Sequence, residues 1–275
     1  MAAYHAKLSA FGSSVPKKIV NNFDLEKIVD TSDEWIRTRT GMFERHHATA
    51  DEAASDFAHE AAVRAIESSQ VRYKDIDMII VATVTGDYPF PSTSCVIQRK
   101  LGLKGVPAFD VSAGCAGFIY AIHTAKRFVE SGAARNVLVL RVEMLTKITN
   151  WNDRGTCVLF GDGAGAVVLS QSDTPGILAH VTGSDGTRGG VLRIDGVPLI
   201  NPWIADPPPS KPSSVIRMDG QEVFKFAVTA MQQSIRRVCE LSGIELDDVP
   251  YIIPHQANDR IIESVAGRMK IPRSR

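Results

Sequence analysis

Four short apolar runs, at residues 76–84, 106–111, 137–142 and 157–169, are separated by segments whose apolar residues recur every three or four positions. Runs of this length suit buried strands, and their alternation with amphipathic helices restricts the chain to an α/β fold with largely buried strands. An opening strand fits residues 3–12, and short helices fit 24–29 and the segment from Ser32, where Ser32-Asp33-Glu34 has the form of an N-cap with acidic first-turn residues. Longer helical patterns cover 53–68 and 94–101. At 275 residues, 44% of them hydrophobic, the chain can bury the core of one large domain or of two fused halves.

The run at 106–111 leads through Ser112-Ala113-Gly114 into a helix expected to start at Cys115, with Phe118, Ile122, Ala125 and Val129 on one face. A thiol at a helix N-terminus meets unpaired N–H groups and the positive end of the macrodipole, which favour the reactive thiolate. The same place also suits a buried structural cysteine. The second half begins near residue 175, with strand-like segments at 177–181 and 191–194 and a Pro/Ser-rich loop at 201–214. A long helix at 220–241 and a short strand at 249–253 follow, and the strand ends at Pro254-His255-Gln256-Ala257-Asn258 before a further helix. Cys115 and His255 thus occupy analogous places in two related halves. His255 suits either an oxyanion donor or a satisfied core histidine, whereas His46-His47 reads as a solvated loop pair.

The remaining features exclude several classes of function. Lys plus Arg and Asp plus Glu are equal at 31 each, so the bulk charge points to neither nucleic acid nor a membrane surface. No apolar run reaches the length of a membrane span, and the N-terminus lacks a signal-peptide layout, so a cytoplasmic setting is expected. The four cysteines, at 95, 115, 157 and 239, form no C-x-x-C pair, which argues against a zinc site or disulfide scaffold. Phosphate-loop and G-x-S-x-G motifs are missing, and Gly161-Asp162-Gly163-Ala164-Gly165 reads as a tight strand entry. Trp35 and Arg154 suit either a stacking face and phosphate fork for a nucleotide, or a half-buried tryptophan and a surface ion pair.

In order along the chain, residues 30–36 with Arg39-Thr40-Gly41, Phe90-Pro91-Ser92, 108–111 with 115–118, 153–156, 160–166, 220–224 and 254–258 resemble the motifs of β-ketoacyl-acyl carrier protein synthase III. That resemblance implies a thiolase-like fold, two similar βαβαβαββ halves in a five-layer α-β-α-β-α sandwich, usually a homodimer. Here the halves would be 1–172, carrying the nucleophile, and 173–275. The reaction implied joins a short acyl-CoA to malonyl-acyl carrier protein, giving 3-ketoacyl-acyl carrier protein, CoA and carbon dioxide, with CoA thioesters as substrates and no cofactor or metal. By the same resemblance Cys115 is the nucleophile and His255 stabilises the enolate. Trp35 and Arg154 sandwich the adenine of CoA, with Thr31 and Arg39 beside them. Gly220 and Phe224 wall the pantetheine channel, and Phe90 reaches into the acyl pocket of a dimer partner. Gln256, Ala257, Asn258, Asp259 and Arg260 match the carrier-protein docking segment, and residues 249–275 hold five Lys/Arg against two Asp/Glu, a bias suited to an acidic partner.

The family also has a catalytic asparagine several tens of residues beyond the histidine, then a glycine-rich segment whose N–H completes the oxyanion hole. Neither lies within these residues, and Asn258 belongs to the histidine motif. Loss of one oxyanion donor lowers the rate by about 10²–10³. The expectation is therefore a C-terminally truncated second half: the sequence of a complete enzyme cut short, or an inactive fragment that binds acyl-CoA or carrier protein. A polyketide starter synthase or another acyl-condensing relative is the nearest enzymatic alternative. A thiolase proper is disfavoured because Cys239 lies inside a long helix pattern.

Overall fold

The computed structural model describes residues 4–196, 203 and 213–275 of the chain. Strand β1 (His5–Ser14) is followed by β2 (Lys18–Asn21), α1 (Asn22–Leu25), α2 (Asp33–Thr40) and β3 (Glu44–His47), with β2 and β3 paired antiparallel. Next come α3 (Ala54–Glu67), β4 (Met78–Ala82), α4 (Thr93–Lys100), β5 (Ala108–Val111) and α5 (Gly117–Glu130). They lead into β6 (Asn136–Met144), α6 (Arg154–Cys157) and β7 (Asp162–Ser172). The main sheet has the order β1-β7-β6-β4-β5. Strand β4 pairs parallel with β5 and β6, while β7 runs antiparallel to both β6 and β1.

Side chains alternate across a strand, so each central strand feeds two cores. Ile79, Val81, Leu138, Leu140 and Val142 pack under α3 with Ala58, Ala61, Ala62 and Ala65. Met78, Ile80, Ala82, Val137 and Val139 face α5 through Ala121, Ala125 and Val129. The central strands are therefore buried on both faces, which is why their sequences run apolar without alternation.

Beyond β7 the described elements are β8 (Leu192–Arg193), β9 (Arg217–Met218), α7 (Gly220–Ser242) and α8 (Asp259–Met269). Helices α7 and α8 bury Val228, Ile261 and Val265 between them. Two strands expected in this half do not form. Residues 177–181 meet β1 through the Ile177 N–H to Ala6 carbonyl bond, 3.0 Å, without extending into a ladder. Residues 249–253 are irregular, held by the Ile252 N–H to the Arg275 carbonyl at 2.7 Å. An apolar run becomes a strand only where it extends a ladder: residues 177–181 make this one bond to β1, and among the described residues 249–253 has no strand beside it.

Other departures are local. The helix expected at 24–29 closes after Leu25, and His46-His47 belongs to β3 instead of a solvated loop, with His47 8% exposed. Most of the Pro/Ser-rich loop at 201–214 lies outside the described residues. Among the described residues no helix is long and apolar enough to cross a membrane.

Candidate active site

Strand β5 delivers the chain to a 3-10 turn, Gly114–Ala116, and α5 begins only at Gly117. Cys115 therefore sits within the turn, two residues before the helix expected to start at the thiol itself. Gly114 takes φ +50°, a conformation that side chains disfavour, and this directs the turn. The thiol is exposed, which removes the reading as a buried structural cysteine. The turn is tied to the sheet by Arg141 on β6, whose Nη1 donates to the Gly114 carbonyl at 2.6 Å.

His255 lies on the irregular stretch before α8. The residue is exposed, yet enough protein crowds the ring that desolvation, and then the positive charge of Arg141, hold its pKa below the usual histidine value. One guanidinium thus touches the Cys115 turn and acts electrostatically on His255. Arg141 and Glu143 continue the row of Val137 and Val139 that faces α5. Arg141 Nη2 is 3.4 Å from a Glu143 carboxylate oxygen. Burial pushes the Glu143 carboxyl up, against bonds from the Thr85 hydroxyl at 2.6 Å and the Val84 N–H at 3.3 Å. Sequence reasoning passed over both residues, although two charges at one parity in an otherwise apolar strand were a usable signal.

A second group gathers around α2. Ser32 caps this helix by accepting from the Trp35 N–H at 3.1 Å, which fixes the indole on its first turn. The Arg154 guanidinium lies over the indole, 4.9 Å from the ring centroid, and that of Arg39 lies 5.9 Å away. Arg154 Nη1 also donates to the Asp30 carbonyl at 3.1 Å, and the neighbouring Thr31 hydroxyl oxygen is buried without a hydrogen-bond partner. Thr31, Trp35, Arg39 and Arg154 are therefore brought together, with the guanidinium closed directly on the ring.

In the second half Asp219 caps α7 at Gly220, and Phe224 packs against the Val228, Ile261 and Val265 cluster. Asn258 caps α8 by accepting from the Arg260 N–H at 2.9 Å. Asp259 accepts from Arg273 at 2.6 Å, and among the described residues Arg260, Arg268 and Lys270 form no ion pair. Phe90 stands 89% exposed. Two adjoining clefts, of about 450 and 250 Å³, lie instead beside Lys18, His47 and Trp151, and neither is lined by Cys115 or His255.

Residues 109–186 match the family described as 3-oxoacyl-[acyl-carrier-protein] synthase III, and residues 239–275 match the C-terminal family of the same synthase. A curated β-ketoacyl-[acyl-carrier-protein] synthase III of Caldanaerobacter subterraneus subsp. tengcongensis is 50% identical over 265 residues, covering 94% of this chain and 78% of that protein. The chain belongs to the β-ketoacyl-acyl carrier protein synthase III family. The fold agrees: the crystal structure of the Aquifex aeolicus synthase III superposes with a TM-score of 0.89 at 44% identity, over 97% of this chain and 82% of that one. A priming β-ketosynthase from the R1128 polyketide pathway gives 0.90 at 36% identity, over 99% and 80%. The synthase III chain thus has the thiolase-type fold of these neighbours, and the two matched segments hold Cys115 with Arg154 and His255 with the α8 cap.

Proposed function

We propose that this chain catalyses the condensation that initiates fatty acid synthesis, joining a short acyl-CoA to malonyl-acyl carrier protein. One observation carries the assignment of the chemistry: an exposed thiol and a pKa-depressed imidazole, far apart in sequence, share the neighbourhood of Arg141. The Cys115 thiolate attacks the acyl carbonyl, the carbon–sulfur bond to CoA breaks, and CoA leaves as its thiolate, which takes a proton from solvent. Malonyl-carrier protein then loses carbon dioxide, and the electron pair of the broken carbon–carbon bond becomes an enolate. A neutral His255 ring donates its N–H to that enolate oxygen. The enolate carbon attacks the acyl-Cys115 carbonyl, a carbon–carbon bond forms, and the sulfur departs as thiolate.

Trp35 and Arg154 clasp the adenine once the guanidinium lifts from the ring, with Thr31 and Arg39 alongside, while Gly220 and Phe224 wall the channel below. Residues 256–260 receive the acidic carrier protein, a role supported by the free cations around α8. The exposed phenyl group of Phe90 supports a homodimer in which it enters the neighbour's acyl pocket. Residues 1–172 and 173–275 act as the two halves, in the cytoplasm, with no cofactor beyond the CoA thioesters. The likeness to the priming ketosynthase favours a second reading, a polyketide starter, and a panel of acyl-CoA primers separates the two.

Cys115→Ala is expected to abolish the acyl adduct seen by intact-protein mass spectrometry after incubation with acetyl-CoA. His255→Ala is expected to keep that adduct and to lose release of carbon dioxide from malonyl-carrier protein. An adduct surviving in Cys115→Ala rejects the nucleophile assignment.

A further inference from the structure

The role given to Cys115 and His255 leaves open what holds the Cys115 turn in place, and the end of β6 supplies it. Period-two alternation places Arg141 on the α5 face, directly after Val137 and Val139, where a strand buried on both faces offers no other reason for a cation. Its side chain is 25% exposed and that of Glu143 9%. Glu143 is fixed in turn by the Thr85 hydroxyl and by the Val84 N–H, and Thr85 accepts from the Met144 N–H at 2.7 Å. The guanidinium is thus anchored from below, with Nη1 on the Gly114 carbonyl.

We propose that Arg141 is a positioning residue of the condensation site, holding the Gly114 carbonyl and with it the Cys115 turn. This rests on the assignment of Cys115 and His255 above. The planar fork suits the task because one nitrogen can bind the carbonyl while the other faces Glu143, which a lysine ammonium does not reproduce. The charge also has a direction of action. A cation beside an imidazole favours the neutral ring, which has one N–H to donate and one nitrogen free to accept. Arg141 on β6, partnered by Glu143 on the same strand, is the charged group acting on His255, and the Cys115 turn contributes none.

The test uses Arg141→Gln and Arg141→Lys in the full chain, each checked for folding by circular dichroism. NMR titration of the His255 ring is expected to give a higher midpoint in Arg141→Gln than in the parent, with the low midpoint kept in Arg141→Lys. Acylation of Cys115 by acetyl-CoA, followed by mass spectrometry, is expected to slow by about tenfold or more in both, because each loses the fork that joins the Gly114 carbonyl to Glu143. An unchanged acylation rate in either folded variant overturns the proposal, and an unchanged His255 midpoint in folded Arg141→Gln removes the charge from the role of Arg141. If Arg141→Gln does not fold, Arg141→Lys decides alone through its acylation rate. Failure of the underlying assignment looks different: Cys115→Ala would still take up the acyl group, whatever happens at Arg141.

Discussion

At the scale of single residues, the contact between Arg154 and Trp35 carries the most direct consequence. A guanidinium over an indole contributes about 0.5–2 kcal/mol, and an inserted purine would exchange that contact for stacking on both partners. Trp35→Ala is therefore expected to weaken CoA binding roughly three- to thirtyfold by isothermal titration calorimetry. An unchanged affinity would remove the clamp from the binding site. The local part of this site was legible in the sequence because capping is local: Ser32 followed by two acidic residues specifies where α2 starts, and hence where Trp35 points. Arg141 was not legible in the same way. Its meaning depends on which face of β6 it occupies, and that follows from the register with β4 and β7.

At the scale of elements, α2 meets α8 at a point that tolerates only glycine. Gly41 ends α2 with φ +75°, and a Cβ there would lie 2.7 Å from the Cβ of Asp259 at the start of α8. Gly41→Ala combines an unfavourable backbone conformation with a clash, for an expected loss of about 1–3 kcal/mol and a lower midpoint in thermal or urea unfolding. A variant as stable as the parent would show that the two helices are free to separate. The elements themselves were largely visible beforehand. The runs that became β4, β6 and β7 are apolar because both faces are covered, and α3 and α5 carry the stripes that cover them. At 249–253 the failure is one of partners, since hydrophobicity specifies burial while a ladder needs a neighbour with free N–H and C=O groups, whereas 177–181 reaches the edge of β1 with a single bond. The start of α5 was misplaced because the positive φ of Gly114 inserts a tighter turn before the helix.

At the scale of the whole molecule, four histidines share one sign. Desolvation first, with neighbouring cations adding to it and Asp162 opposing it at His47, holds His47, His123, His180 and His255 below their ordinary value of 6.5, and the His123 and His180 rings meet at a tilt of 39° with centroids 3.4 Å apart. Below about pH 6.5 the unfolded chain binds protons that the folded chain resists, so stability falls as pH drops through that value and toward the lower folded midpoints. The melting temperature is expected to decline between about pH 7 and 5.5. His47→Phe, which keeps a ring against Trp151, is expected to flatten that decline, and a slope identical to the parent's would exclude His47 as a contributor. Topology adds a constraint of another kind. Among the described residues the ladder partner of strand β1 is β7, about 150 residues later in the chain. At roughly 5–20 residues per second, a ribosome making this protein leaves its first strand without a mate for on the order of ten seconds or more. During that interval the nascent polypeptide presents an unzipped, partly apolar edge, and the pace of translation up to residue 172 becomes part of how the enzyme reaches its native form.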